Sequence, residues 1–298
     1  MENYFIGIML GITAGVCLNI GFILQKKAVN DISPEARSKK LLWKLIRNPV
    51  WLVGLVVQIL GSAVLVMIAQ FFIGPALLPG LMAAGLIVMA IGAAKILKET
   101  LKRAEYVGIT LMILAIVLLA LTGLSVDVES QNLLDPGFLL RASLFTIILF
   151  AVILVCEIFQ RKVERFRGML LALQSGTYLA LANFWVSPFS INLGHLFGGM
   201  LVWPDEFILG LVGGIMLAIT NVLAISVLQK AFTCAQATNV VPLQQLPINI
   251  APVFVYFGIF LLAPPTPYAI PFMIAGIATI LVSSFFLTKR QAKLGEIK

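Results

Sequence analysis

Thr238, Pro242, Gln245, Asn249 and Pro252 follow one another at spacings of 4, 3, 4 and 3, the interval that sets side chains on one face of a helix. Two of these residues are amides, one is a hydroxyl, and each proline frees a backbone carbonyl of the preceding turn. A face offering amides and released carbonyls suits an uncharged polar solute or a partly hydrated cation, since neutral oxygen dipoles hold both. Gln58 and Ser62, four apart in another apolar segment, and the isolated amides Asn19, Gln174 and Asn221 extend this neutral polar set. The competing reading of each is a hydrogen bond between neighbouring helices, at about 0.6 kcal/mol per contact.

Ionisable groups in such segments are scarce. Glu157 stands four residues before Arg161 near the end of its segment and reads as an interfacial ion pair, with proton transfer as the alternative. Arg141 lies just inside the other end and is expected to extend outward. The single histidine, His195, has no cysteine or carboxylate at ligand spacing. No aspartate lies in an apolar segment, and no GxxxxGK[ST] phosphate loop occurs. These residues argue against an enzyme and an ATP-driven pump, and neither a cofactor nor a firmly assignable metal site is expected.

The elements that must position these residues follow from the solvent. Of 298 residues, 60% are hydrophobic and 11% charged, against about a quarter charged in a soluble domain. Stretches 3–25, 48–94, 106–126, 168–204, 207–229 and 231–288 contain no Asp, Glu, Lys or Arg, and roughly 20 apolar residues cross a bilayer as a helix. A water-soluble enzyme or nucleic-acid-binding domain is excluded, in spite of the net charge of +8. Gly74-Pro75 divides the second stretch, and Ala263-Pro264-Pro265-Thr266-Pro267 divides the last. The predicted spans are 4–25, 49–72, 76–97, 105–125, 138–160, 168–187, 207–229, 236–262 and 268–288. Residues 188–204, with Ser190, Asn192 and His195, are short and polar for a crossing and read as interfacial or re-entrant; a crossing there would make ten.

Charge orients the spans. With nine of them and the N-terminus outside, every basic residue except Arg141 falls on inner connections or the tail, while Glu2, Asp127, Glu129, Asp135, Asp205 and Glu206 fall outside. The C-terminus is then cytoplasmic. In the first inner connection Ser33-Pro34-Glu35 is a helix start. Leu41, Leu42, Trp43, Leu45 and Ile46, interleaved with Lys44 and flanked by Lys39, Lys40 and Arg47, predict a short helix on the membrane surface. Cys17, Cys156 and Cys234 are expected to be buried in packing rather than in disulfides. Gly7, Gly11 and Gly15 form a stripe for close helix contact.

Two parts of the chain share a layout. Gln70-Phe71-Phe72 closes a span, Pro79 lies near the start of the next, and Tyr106-Val107-Gly108 opens the one after. Gln229-Lys230-Ala231-Phe232, Pro242 and Ala275-Gly276 repeat this order with the direction across the membrane reversed. Residues 1–130, with four spans, and 131–298, with five, are read as inverted repeats, a plan of secondary transporters that bind substrate between the repeats.

Gly21-Phe22-Ile23-Leu24-Gln25-Lys26-Lys27-Ala28, Gly74-Pro75-Ala76-Leu77-Leu78-Pro79 and Leu97-Lys98-Glu99-Thr100-Leu101 resemble the drug/metabolite transporter superfamily, of EamA-like fold. Within it the chain is similar to the NIPA-type magnesium transporters and their prokaryotic relatives, over nearly its whole length. The resemblance implies an all-α polytopic protein of the plasma membrane that moves magnesium or another divalent cation by alternating access. The alternative substrate is a small polar or amphiphilic organic metabolite or drug, and a non-transporting scaffold is the third reading. In the magnesium branch an acidic residue follows a glycine of the second span; Ser62, in Leu60-Gly61-Ser62-Ala63, stands there in this chain.

The candidate pathway is therefore Asn19, Gln58, Ser62, Gln70, Pro79, Asn221, Thr238, Pro242, Gln245, Asn249 and Pro252, with Glu157 as the candidate ionisable site. The expected partners are the lipid bilayer, the transported small molecule or cation and a second copy of the chain, without nucleic acid.

Overall fold

The computed structural model describes residues 2–33, 41–73, 78–124, 132–197 and 203–295, and among them it contains helices and short connections without any strand. The α-helices are α1 (Glu2–Asn30), α2 (Leu41–Ile46), α3 (Pro49–Val56), α4 (Ser62–Ile73), α5 (Leu78–Met82), α6 (Gly85–Lys95), α7 (Arg103–Ala120), α8 (Pro136–Lys162), α9 (Arg167–Phe197), α10 (Pro204–Cys234), α11 (Ala237–Phe254) and α12 (Ala269–Gly295). A π turn, Val57–Gly61, joins α3 to α4, and a second, Val255–Ile259, extends α11. Eight helical segments of the described residues are long and apolar enough to cross a bilayer, and Gly80–Lys95 is apolar but shorter. The chain is thus an all-α polytopic membrane protein.

Helices begin where the sequence supplies caps. Asn48 accepts from the backbone N–H groups of Val50 at 2.9 Å and Trp51 at 3.2 Å, and Pro49 opens α3. Asp135 accepts from Phe138 N at 2.9 Å, and Pro136 opens α8. Both arrangements satisfy donors that a helix start leaves without partners. The exit of α6 is less ordinary. Lys98 adopts the left-handed region at φ 56°, and Glu99 N donates to Ala93 O at 3.0 Å, a closure usually built on glycine. Leu261, φ 55°, closes the π turn after α11 in the same way, with Leu262 N donating to Tyr256 O at 3.2 Å.

Contacts sort the chain connections into two ends. At one end the close of α1 meets the close of α10, the α6–α7 connection meets the start of α11, and Gly108 of α7 lies against Leu287 of α12. This end carries Lys26, Lys98, Lys102, Arg161, Lys162 and Lys230. At the opposite end Arg141 of α8 reaches Ile259 and Asn192 of α9 reaches Glu206 of α10. Within the bundle α1 packs on α3, α4 and α6, α9 packs on α8, α10 and α11, and α7 pairs with α12. The last pair is antiparallel and reciprocal. A Cβ on Gly108 would meet Leu287 Cγ at 2.8 Å, and one on Gly276 would meet Leu119 Cγ at 2.8 Å.

Several expectations change. Residues 188–197 are not a separate re-entrant piece: α9 runs unbroken through Pro188 to Phe197. Glycines of α10 hold this stretch. A Cβ on Gly213 would lie 3.0 Å from Trp185 O, one on Gly210 would lie 2.4 Å from Asn192 Cγ, and Asn192 Nδ2 donates to Glu206 O at 2.7 Å. The predicted span 76–97 is broken at Ala83–Ala84 into α5 and α6, because α1 comes close there: a Cβ on Gly15 would stand 2.3 Å from Met82 O and one on Gly85 2.1 Å from Gly15 O. Arg141 does not extend outward but donates from Nε to Ile259 O at 2.8 Å. The cysteines form no disulfide, with Cys156 buried, Cys17 half-buried and Cys234 exposed at the end of α10 rather than buried. The surface helix of the first connection is present as α2, burying Leu41 and Leu45 and exposing Trp43. Pro34 and Glu35, and the Gly74-Pro75 break, lie outside the described residues.

The α1 contact supplies a test of stability. Adding a methyl at Gly15 or Gly85 forces backbone shifts of the kind that cost about 1–3 kcal/mol. Gly15→Ala and Gly85→Ala are expected to lower the Tm in detergent by roughly 3–10 °C. Gly258→Ala, where nothing lies within 4 Å, is expected to leave it unchanged within about 2 °C.

Candidate substrate cavity

A cavity of about 540 Å³ lies between α1, the first π turn, α6, α7, α9 and α11. It reaches from the middle of the bundle to the end opposite the basic one, where Thr122 and Leu124 line it. Its other polar lining comes from Asn19, Gln58, Asn183, Gln244, Gln245 and Asn249; among the described residues the remaining walls are apolar and no charged side chain lines it. Among the described residues no group of three or more His, Cys, Asp or Glu is placed to hold a metal ion.

Three of the amides, Asn19, Asn249 and Gln244, share a polarity. Asn19 Nδ2 donates to Gly15 O at 2.9 Å, and Asn249 Nδ2 donates to Gln245 O at 2.7 Å and to Gln245 Oε1 at 3.3 Å. Gln244 Nε2 donates to Ser175 Oγ at 2.9 Å. Because a backbone carbonyl only accepts, the nitrogens of Asn19 and Asn249 must face the protein. Asn19 Oδ1 and Gln244 Oε1 are left as buried acceptors without a protein partner among the described residues. Such an orphan costs about 1–3 kcal/mol. Asn19 and Gln244 thus keep an oxygen without a protein partner while their nitrogens are engaged, whereas the Gln58 and Gln245 oxygens already accept from Gln25 and Asn249.

The helix that supplies most of these groups, α11, contains Pro242, Pro247 and Pro252. Pro252 removes the hydrogen bond to the Ile248 carbonyl, and both residues line the cavity. Pro247 sits five residues after Pro242, off the face read from spacing, and was therefore not part of the predicted set. It seats α11 on α9, where a Cβ on Gly176 would lie 2.6 Å from Pro247 Cγ and 2.2 Å from Gln244 O.

Of the predicted pathway, the structure brings Asn19, Gln58, Gln245, Asn249 and Pro252 together. Ser62 is buried away from the cavity, because the π turn at Val57–Gly61 changes the register and rotates position 62 off the face of Gln58. Pro242 is buried below the cavity. Thr238 is engaged by Glu99, and Asn221 Nδ2 donates to Leu217 O within its own helix at 2.8 Å. The side chains of Gln70 and Pro79 lie outside the described residues. Glu157 is paired with Arg161 at 2.6 Å, accepts from Gln160 and accepts from Gln174 Nε2 at 3.2 Å. Thr122, Asn183 and Gln244 were missed; Gln244 sits beside Gln245 but falls off the periodic face.

A family model described as Magnesium transporter NIPA matches residues 2–293. The chain belongs to the NIPA magnesium transporter family. No curated protein and no solved structure matches it. Membership in a family of transporters, together with the apolar helices, makes this a multi-pass membrane transporter.

Below the cavity the NIPA-family chain closes with amides and charges. Gln229 Nε2 of α10 donates to Gln25 Oε1 of α1 at 2.6 Å, and Gln25 Nε2 donates to Gln58 Oε1. The buried Lys26 donates to Phe232 O and, at 2.8 Å, to Ala235 O, so a cation meets the carbonyl end of α10. Glu99 accepts from Ala237 N at 2.8 Å, Thr238 N at 3.2 Å and Thr238 Oγ1 at 3.1 Å, an N-cap supplied from another helix pair. Glu105 accepts from Lys102 N at 2.8 Å and from Asn239 Nδ2 at 3.3 Å. In the sequence Lys26 and Glu99 stand between predicted spans and Glu105 is the first residue of the span 105–125.

Removing the Glu99 carboxylate strands the two amides at the start of α11. Thermal unfolding in detergent is expected to rank wild type above Glu99→Gln, which keeps one acceptor, and Glu99→Gln above Glu99→Ala, with the last losing about 1–3 kcal/mol. Equal Tm values for all three would show that the cap contributes nothing.

Proposed function

We propose that this NIPA-family protein carries magnesium, with water still bound, across the plasma membrane by alternating access between two inverted repeats. The observation that carries the reading is the polarity of three cavity amides: Asn19, Gln244 and Asn249 spend their nitrogens on the protein, and Asn19 and Gln244 keep oxygens without a protein partner. Bound waters of a cation present hydrogens outward, and magnesium keeps several of its six ligands as water. Six waters at about 30 Å³ each occupy about 180 Å³, within the 540 Å³ present. Neutral oxygens hold such an ion without a fixed charge that would retain it.

The repeat reading is supported by the pairing of elements. α1, α3–α4, α5–α6 and α7 correspond to α9, α10, α11 and α12, with α8 outside the match. The reciprocal Gly108 and Gly276 contacts are what a two-fold axis between α7 and α12 would give. The non-glycine closures at Lys98 and Leu261 fall at equivalent helix ends. Basic connections at one end favour that end as cytoplasmic, so the cavity in this conformation faces outward. A membrane potential then drives entry, at about 4.6 kcal/mol per 100 mV for two charges.

The apolar walls around Leu18, Phe22 and Ile116 favour one second reading, an amphiphilic organic solute. Uptake into liposomes reconstituted with the pure protein separates the two. Saturable magnesium uptake is expected, with an equilibrium accumulation that rises about three orders of magnitude per 100 mV, inside negative. Asn249→Ala and Gln245→Ala, folded normally, are each expected to lower flux about tenfold, the worth of one charge-assisted hydrogen bond. Uptake of an organic solute without magnesium would overturn the proposal in favour of the second reading.

A further inference from the structure

Gln244 can offer the cavity an oxygen or an NH2 group, and a residue that never touches the cavity decides which. Ser175, on α9, is 0% exposed and absent from the cavity wall. Its Oγ donates to the backbone carbonyl of Ala224 on α10 at 2.8 Å. Its one proton is thereby committed, and the hydroxyl oxygen accepts from Gln244 Nε2 of α11 at 2.9 Å. The alternative amide orientation would turn the Ser175 proton onto Gln244 Oε1, abandon Ala224 O and leave the NH2 group without a partner. One hydrogen bond would then replace two, so the observed orientation is favoured, with Gln244 Oε1 as the buried acceptor left over.

We infer that Ser175 is a positioning residue for cation selection: it decides whether Gln244 keeps its oxygen or its NH2 group for the cavity. Without the hydroxyl the amide turns freely, and in half of its orientations it presents hydrogens to a shell of water hydrogens. The inference rests on the magnesium reading above.

The test measures magnesium uptake in proteoliposomes for wild type, Ser175→Ala, Gln244→Ala and the double variant, with Tm in detergent followed for each. Ser175→Ala is expected to raise KM about tenfold with Vmax within about twofold, and Ser175→Cys, a weaker donor and acceptor, to fall between it and wild type. In the Gln244→Ala background Ser175→Ala is expected to add nothing, since its partner is gone. An unchanged KM in Ser175→Ala, or additive effects in the double variant, overturns the positioning role while the magnesium reading stands. A wild type without magnesium uptake overturns both. If Ser175→Ala does not fold, an unchanged KM in Ser175→Cys decides against the inference.

Discussion

A buried backbone group without a partner costs several kcal/mol in hydrocarbon, and this constraint governs every place where a helix of this chain stops or bends. Three such ends are answered by a charged side chain from another helix or connection. The carbonyl end of α10 takes the Lys26 ammonium, the amide start of α11 takes the Glu99 carboxylate, and the Ile259 carbonyl of the second π turn takes the Arg141 guanidinium. Tyr256 closes the same region by donating to Ala263 O at 2.8 Å. These contacts allow α10, α11 and the π turns to be interrupted around a cavity without leaving raw backbone in the lipid.

The cavity itself is built from the same economy of partners. Prolines in α11 release carbonyls, the glycines Gly15 and Gly176 let α1 and α9 approach the broken elements, and Asn19, Gln244 and Asn249 turn their nitrogens into the protein. Among the described residues the cavity wall is left polar without formal charge. Carboxylates are present, but they are spent at the basic end on helix termini and not on the cavity wall.

Much of this was legible from the residues in order. Uncharged stretches located the helices, apart from the last ten residues of α9 and the break between α5 and α6, since the bilayer demands length and apolarity before anything else. The polar face of α11 was visible for the same reason: amides in an apolar helix stand out, and Asn249 and Gln245 do line the cavity. Ser62 misled because a π turn leaves no mark on a periodicity of 3.6. Pro188 misled because glycines of α10, distant in sequence, hold the helix through it. Nothing in the sequence marks the roles of Lys26, Glu99 and Glu105, for their partners are helix ends more than a hundred residues away or backbone atoms that any sequence possesses. Family membership fixes the kind of protein, and the division into repeats is a proposal drawn from the pairing of elements.

The lengths of α9 and α10 have one more consequence. Each has 31 residues, about 46 Å at 1.5 Å per residue, against a hydrocarbon layer of about 30 Å. Lying wholly inside that layer would take an inclination near 50°, beyond the roughly 40° limit found for such helices. The two helices must therefore leave the hydrocarbon layer and end among the lipid headgroups, so any change in their tilt is felt at the membrane surface.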